Sequence, residues 1–182
     1  MPQRNRAALV TGSGRNIGRS AALALAKMGC NIAVNGSSDR AACERVADEA
    51  RTLGVKAEVI MGDVGDMAAA TAIGVAAVKA FGGIDILVNN AAIRPMRPFL
   101  ETDEKEWQRV LAVDLHAARW LAKICLPGMI ERGWGRIINF AGMNAIQGYN
   151  GRAPVSVSKH GAWGLTKALA KEFAKQGITV NI

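Results

Sequence analysis

The feature of this sequence that most constrains its fold is a regular alternation of short apolar runs with longer stretches that have helical spacing. The short runs predict β-strands at 7–11, 31–35, 56–61, 84–90, 135–140 and 178–182. The stretches between them predict helices at 16–28, 39–53, 66–80, 103–132 and 154–176. Such alternation is typical of parallel strands joined by right-handed helical crossovers. The sequence therefore predicts an α/β fold, with a doubly wound parallel sheet and helices on both faces.

The composition is that of an ordinary globular domain, with 50% apolar and 21% charged residues. The 182 residues contain no linker, repeat or low-complexity segment, so we expect one domain over 1–182. No run approaches the ~18 apolar residues of a transmembrane helix, so we expect no membrane contact. The three cysteines, Cys30, Cys43 and Cys125, have no CxxC spacing. Their pattern favours a reducing, cytoplasmic location and argues against a metal site.

The segment TGSGRNIG, from Thr11 to Gly18, lies between the first predicted strand and the first predicted helix. Glycines at that turn let the backbone approach a pyrophosphate, which the positive N-terminal end of the helix attracts. The alternative is that the glycines only allow the helix to pack closely on the sheet. A lone glycine cluster is a weak signal, but its place at the first strand-to-helix turn of an alternating chain indicates a dinucleotide site.

TGSGRNIG resembles the TGxxxGxG loop of short-chain dehydrogenases/reductases, and three further stretches agree with that family. They are Asp63-Val64 after the third strand, NNAA at 89–92, and GRIINF at 135–140 ahead of Lys159. The resemblance covers essentially the whole chain, and 3-oxoacyl-carrier-protein reductases look most similar. It implies a Rossmann-type sheet and an NAD(P)-dependent oxidoreductase that acts on a carbonyl or alcohol substrate. Asn16 replaces the middle glycine of the family loop, and asparagine tolerates left-handed backbone angles there.

The resemblance also implies which residues bind the cofactor, and they fall in five segments. They are Gly12, Ser13, Arg15, Asn16, Ile17 and Gly18; Ser37 and Ser38; Asp63 and Val64; Asn89, Ala91 and Ala92; and Lys159. In the family, the residue at Asp63 contacts the adenine, and the turn at Asn89 shapes the floor of the site. A plain strand-ending turn is the alternative role for Asn89.

The end of the second predicted strand favours NADP(H) over NAD(H). An acidic residue there selects NAD by accepting a hydrogen bond from the ribose 2′-hydroxyl, whereas Asn35 and Gly36 carry no charge. Ser37, Ser38 and Arg15, helped by Arg40, are suited to a 2′-phosphate. Asp39 is the counter-argument, but we expect it to cap the next helix. The net charge of +8 is spread along the chain, which predicts no nucleic-acid partner and leaves some charge for a cofactor phosphate.

The catalytic positions of the family are where the sequence departs most. A tyrosine proton donor is expected four residues before Lys159, where the chain has Val155; the serine position is Gly142, and the asparagine position is Asp114. General acid catalysis typically contributes about 10²–10⁴-fold, so carbonyl reduction by the usual residues should be nearly abolished. Asp114 could instead pair with Lys159, and Tyr149, the only tyrosine, is a candidate donor from a loop. Two related groups of enzymes, the enoyl reductases and the dienoyl-CoA reductases, place this tyrosine seven and fifteen residues before the lysine. Those positions hold Arg152 and Asn144 here, so neither supplies the tyrosine.

Three functions therefore stay open: an oxidoreductase that works through unusual residues, a cofactor-binding pseudoenzyme that acts as a sensor or assembly partner, and a structural subunit that binds nothing. Arg15, Asp63 and Lys159 argue against the third. Relatives are tetramers or dimers joined partly through the helices at 103–132 and 154–176, so we expect a homo-oligomer. The resemblance also implies a substrate lid and one more strand after residue 182. Those segments are absent, so the small-molecule substrate stays unidentified.

Overall fold

The structure, a computed structural model of the chain, describes residues 5–182. Each of the six predicted strands forms, with ends within two residues of the predicted ones. They are β1 (Ala7–Val10), β2 (Asn31–Gly36), β3 (Ala57–Met61), β4 (Ile86–Asn89), β5 (Gly135–Asn139) and β6 (Ile178–Asn181).

The helices lie between the strands, as the apolar periodicity predicts. They are α1 (Asn16–Lys27), α2 (Arg40–Thr52), α3 (Met67–Phe81), α4 (Glu104–Leu111), α5 (Ala117–Glu131) and α6 (Ala153–Phe173). The single helix predicted at 103–132 is two helices, α4 and α5, joined through a π-helical turn at Ala112–His116. A π turn of this kind widens one turn of the helix and often marks a functional site.

The strands form one parallel sheet in the order β3-β2-β1-β4-β5-β6, which confirms the predicted doubly wound fold. Leu9 of β1 lies opposite Ala33 of β2 on one side and Leu87 of β4 on the other. Chain order reverses between β1 and β4, so the loops that follow these two strands diverge. In folds of this class, ligands bind in the crevice that opens at this point.

Alternate residues of the central strands supply two hydrophobic cores, one on each face of the sheet. Leu9, Leu87 and Ile137 pack in a cluster with residues of α3 and α5. Val10, Val34 and Val88 pack in the other cluster with residues of α1 and α2. Helices cover both faces of the sheet. A ligand can therefore approach at the loops that follow the carboxyl ends of the strands.

Candidate functional site

Hydrogen bonds join the loop after β1 to the loop after β4, at the reversal of strand order. The Thr11 hydroxyl accepts from the backbone N–H groups of Asn90 and Ala91, each at 3.0 Å. The Asn90 side-chain amide donates to the carbonyl oxygens of Thr11, at 2.9 Å, and Gly12, at 3.1 Å. The position of the glycine loop is therefore fixed by the neighbouring loop as well as by its own sequence.

The glycine loop is packed too tightly for side chains at its key positions. A Cβ atom on Gly18 would overlap the Gly12 carbonyl oxygen and lie 2.9 Å from the Cα of Ser13. Asn16 has φ of 50°, the only positive φ of a non-glycine residue within 5–182. Asn16 thus adopts a left-handed backbone angle, which asparagine was expected to tolerate, and the loop forms without the family's middle glycine.

The crevice is a cleft of about 600 Å³, which we call the main cleft. Most of the predicted cofactor-binding residues line it: Gly12, Arg15, Asn16, Ile17, Gly18, Ser37, Ser38, Asp63, Val64, Ala91 and Ala92. Residues that the sequence did not predict also line it, among them Gly62, Asn90, Ile93, Arg94 and Arg109. Asn90 was adjacent to a predicted residue, whereas no pattern in the sequence singled out the two arginines.

Three predicted cofactor-binding residues do not line the main cleft. Ser13 is fully buried, and its hydroxyl donates to the Val10 carbonyl oxygen at 2.7 Å and accepts from the Asn35 N–H at 3.0 Å. Asn89 donates to Asn139 Oδ1 at 2.8 Å. Together with Lys159, Asn89 lines a small cavity of about 10 Å³, which shares Val64, Ala91 and Val113 with the lining of the cleft. Ser13 and Asn89 thus lie outside the lining of the main cleft, a placement that the family motif did not indicate.

The corner of the cleft near the end of β2 is rich in unpaired polar groups. Arg15, Ser37 and Ser38 are exposed on the cleft wall, and their side chains make no hydrogen bond or ion pair within 5–182. Arg15 stands at the start of α1 without capping it, and the first turn of α1 has no acidic residue. The N–H groups at this helix end are therefore available to an anion.

Three neighbours of that corner are occupied elsewhere. Asn35 is buried and donates through its side-chain amide to the carbonyl oxygens of Ile60 and Gly62. Arg40, which the sequence suggested as a further cation, pairs with Glu44 one turn along α2 and does not line the cleft. Asp39 caps α2 by accepting from the Ala42 N–H at 2.9 Å, as predicted. Asp39 also lines the cleft, with Oδ1 engaged at the start of α2 and Oδ2 making no hydrogen bond within 5–182.

Asp63 lies on the cleft wall with both carboxylate oxygens engaged. Its Oδ1 accepts from the Gly65 N–H at 2.8 Å, and its Oδ2 pairs with Arg109 Nη2 at 2.7 Å. Arg109 comes from α4, so this ion pair ties the loop after β3 to the helix on the far side of the cleft. Each oxygen keeps a second lone pair, which can still accept from a ligand amino group.

Lys159 of α6 and Asp114 of the π turn form a buried ion pair, with 3.1 Å between Nζ and Oδ2. Lys159 also donates to the Phe140 carbonyl oxygen at 3.0 Å, and Asp114 Oδ1 accepts from the Ile93 N–H at 2.8 Å. Burial raises the pKa of the Asp114 carboxyl above its ordinary value, against the opposing pull of the Lys159 ammonium and the Ile93 N–H. The pairing expected from the sequence is therefore present.

The positions that hold serine and tyrosine in the family are occupied here by Gly142 and Val155. Gly142 has φ of 77° and ψ of −169°, a region that is essentially restricted to glycine. Val155 is fully buried on α6. Neither residue presents a donor to the cleft, and Gly142 cannot be replaced by serine without backbone strain.

Tyr149 lies on the loop before α6, with 42% of its surface exposed. Its hydroxyl accepts from the Gln147 side-chain amide at 3.3 Å, and Tyr149 lines neither the main cleft nor the small cavity. Ser156 donates to Asn144 Oδ1, and His160 is exposed, with its Nδ1 2.9 Å from the Ser156 carbonyl oxygen. The titratable groups that line the small cavity are Lys159 and Asp114.

Within residues 5–182, no group of three or more histidine, cysteine or acidic side chains is placed to hold a metal ion. Over the same residues, no helix has the length and apolarity needed to cross a bilayer.

The fold and the cleft at the reversal of strand order define a dinucleotide-binding α/β protein. The family model described as short chain dehydrogenase matches residues 6–182, and the chain belongs to this family of NAD(P)-dependent oxidoreductases.

Several characterised relatives are similar over nearly the whole chain. Nodulation protein G of Azospirillum brasilense is 40% identical over 175 residues, which is 96% of this chain and 71% of the relative. A 3-oxoacyl-acyl-carrier-protein reductase of Staphylococcus aureus is 38% identical over 176 residues, 97% of this chain and 72% of the relative. The crystal structure of acetoin dehydrogenase from Salmonella typhimurium superposes with a TM-score of 0.94 at 32% identity, over 97% of this chain and 70% of that one.

Proposed function

We propose that this chain binds NADP(H) in the main cleft and that it lacks the proton-transfer residues its family uses on carbonyl substrates. The observation that carries the proposal is the cluster of Arg15, Ser37 and Ser38 on the cleft wall beside the open N-terminus of α1. The two parts of the proposal rest on different regions of the site.

The residues of the cleft fit the cofactor. The uncapped first turn of α1 suits a pyrophosphate, since backbone N–H groups and the helix dipole both favour an anion there. The guanidinium of Arg15 and the two serine hydroxyls suit a 2′-phosphate, which forms stronger, charge-assisted hydrogen bonds. When bound, the nicotinamide ring of such a cofactor supplies or accepts a hydride.

The residues at the family's catalytic positions do not offer the proton that must accompany hydride transfer to a carbonyl. Val155 and Gly142 carry no transferable proton, and Lys159 is committed to Asp114 and the Phe140 carbonyl oxygen. Because one missing general acid costs about 10²–10⁴-fold, we expect very slow carbonyl reduction. A cofactor-binding protein that acts as a sensor or assembly partner fits this site better than an efficient reductase.

A second candidate is an oxidoreductase of a small carbonyl or alcohol that uses Tyr149. Its support is that the Tyr149 hydroxyl is exposed and held only by Gln147, so it is free to reorient. If Tyr149 donates the proton, a Tyr149→Phe variant should lose about 10²–10⁴-fold in the rate of NADPH consumption with an accepted substrate. If the rate is unchanged, Tyr149 has no part in the chemistry.

Calorimetric titration with NADPH and with NADH tests the proposed cofactor. We expect NADPH to bind at least about tenfold more tightly, because hydrogen bonds to a charged phosphate are worth about 1.5–3 kcal/mol. Arg15→Ala should remove most of that preference and change NADH affinity little. Arg40→Ala is the matched control, since Arg40 pairs with Glu44 and should leave both affinities unchanged. Equal affinities, or no saturable binding, would contradict the proposal.

Homo-oligomerisation and a cytoplasmic location are the remaining parts of the proposal. Leu121, Leu126 and Met129 of α5 are buried within the chain and do not support an interface, whereas Ile130 near the end of α5 is exposed. Val157 and Trp163 on α6 are exposed and do support one. The three cysteines are buried free thiols, in keeping with a reducing compartment. Light scattering of the chain and of a Trp163→Glu variant would test the interface.

A further inference from the structure

The ligand-binding groups of the main cleft are concentrated at one end. That end has the uncapped N-terminus of α1 together with Arg15, Ser37 and Ser38, all of which are free to bind a ligand. Phosphate groups attached to an adenosine are the natural partners of such a set, because they accept several charge-assisted hydrogen bonds at once. Asp63, on the adjoining wall, can accept from an adenine amino group.

The opposite end of the main cleft is mostly apolar. Ala91, Ala92 and Ile93, which follow β4 on the other side of β1 from β2, line it, and none of their side chains carries a polar atom. Arg94 is the cation on this wall, and it makes no hydrogen bond or ion pair within 5–182. Arg94 is exposed, as Arg15 is, but no serine or threonine hydroxyl of the cleft lining lies with it after β4.

The lysine that could bind a ligand at this end is withdrawn from the cleft. Only 4% of the Lys159 side chain is exposed, and none of the Asp114 side chain is. The cavity beside them, about 10 Å³, has room for one water molecule and none for a sugar. Releasing Lys159 toward the cleft would leave the Asp114 carboxylate buried without its partner, which is strongly unfavourable.

We propose that the main cleft recognises the 2′-phosphorylated adenine nucleotide half of its ligand and gains little affinity from a nicotinamide half, because Asp114 holds Lys159 out of the cleft. This inference rests on the proposed function, since it concerns the same cleft. It extends the class of ligands to adenine nucleotides that carry a 2′-phosphate and a 5′-diphosphate, with or without a nicotinamide. Asp114 is a positioning residue in this scheme, because it acts through Lys159.

The test compares NADPH with 2′-phosphoadenosine 5′-diphosphate, which lacks the nicotinamide and its ribose, by calorimetric titration of the unaltered chain. We expect the two dissociation constants to agree within about threefold, because both ligands reach the same hydrogen-bonding groups. NADPH binding that is more than about thirtyfold tighter would overturn the inference and leave the proposed function standing. The absence of binding by both ligands would overturn the proposed function and the inference with it.

An Asp114→Asn variant gives a second, independent readout. The neutral amide cannot form an ion pair with the ammonium, so Lys159 is held less tightly and can donate to a ligand ribose. We expect NADPH affinity to rise about tenfold, the order of one hydrogen bond to a charged group, and the affinity for the truncated nucleotide to change less than twofold. Glu131→Gln, the same kind of substitution at an exposed site, is the control. Equal changes for both ligands in Asp114→Asn would overturn the inference. If that variant does not fold, the comparison on the unaltered chain decides alone.

Discussion

Lys159 Nζ and Asp114 Oδ2 are 3.1 Å apart, in a site that leaves 4% of one side chain exposed and none of the other. The pair engages the lysine at the position that the family uses in catalysis. In the family the corresponding lysine works beside a neutral asparagine and a tyrosine. Here it is paired with the Asp114 carboxylate, and the residue four positions before it on α6 is Val155.

Removing one member of the pair should destabilise the chain. Lys159→Met leaves the Asp114 carboxylate buried and unpaired, and we expect the free energy of unfolding at neutral pH to fall by about 3–5 kcal/mol. Urea denaturation followed by circular dichroism measures the change. Arg40→Met, which breaks the exposed pair with Glu44 in the same way, should cost less than about 0.5 kcal/mol. Equal losses of unfolding free energy in the two variants would mean that the buried ion pair contributes no more to stability than the exposed one.

The raised pKa of Asp114 predicts how its contribution varies with pH. The folded chain binds the Asp114 proton more tightly than the unfolded chain, whose ordinary value is 3.8. The resulting stabilisation is fully present below that value and is lost as the pH rises through the raised pKa of the folded state.

The unfolding free energy of the unaltered chain, minus that of Asp114→Asn, should therefore decrease as the pH rises from about 4 toward neutrality. Urea denaturation of both proteins at a series of pH values gives this difference directly. A difference that increases with pH would show that the attraction of Lys159 outweighs burial and lowers the pKa of Asp114.

Gly18 and Gly164 should respond oppositely to the same substitution. A Cβ at Gly18 meets backbone atoms of the glycine loop, so Gly18→Ala should destabilise the fold by about 1–3 kcal/mol and weaken NADPH binding. Gly164 lies in α6, where a Cβ would have no neighbouring atom within 4 Å. Gly164→Ala should stabilise by up to about 1 kcal/mol, because alanine is the better helix former. Thermal unfolding and NADPH titration of both variants check this, and a neutral Gly18→Ala would contradict the tight loop packing.

Restoring the family residues should create a carbonyl reductase if their loss is the main defect. The triple variant Val155→Tyr, Gly142→Ser and Asp114→Asn is expected to consume NADPH with small ketones at least about 10²-fold faster than the unaltered chain. The positive φ of Gly142 adds a cost of about 1–3 kcal/mol in stability for its replacement by serine. The control carries Val155→Phe in place of Val155→Tyr, which keeps the ring and removes the hydroxyl. Equal rates for the two triple variants would show that the hydroxyl is not what is missing.

The sequence predicted the fold well, because the fold depends on local periodicity. Strands such as β1 and β4 are short apolar runs, and helices such as α2 have a capping aspartate at the predicted place. The π turn at Ala112–His116 was not predicted, since the widened turn has no sequence period of its own.

The site was predicted less completely, because the burial and the orientation of a side chain depend on tertiary structure. A motif placed Ser13 and Asn89 among the cofactor-binding residues, yet one is buried under the loop and the other lies in the small cavity. Arg94 and Arg109 line the cleft without belonging to any motif. The backbone angles of Gly142 also could not be predicted from the sequence. The sequence showed only that a glycine stands where the family has a serine.

One measurement tests most directly whether this protein binds NADP(H) without the chemistry of its family. A single preparation is titrated with NADPH by calorimetry, and the same preparation is then assayed for NADPH consumption with a panel of small ketones and aldehydes. We expect saturable binding together with turnover at least about 10²-fold below the ordinary enzymatic range of about 1–10³ s⁻¹. Turnover within that range on any substrate of the panel would contradict the proposal.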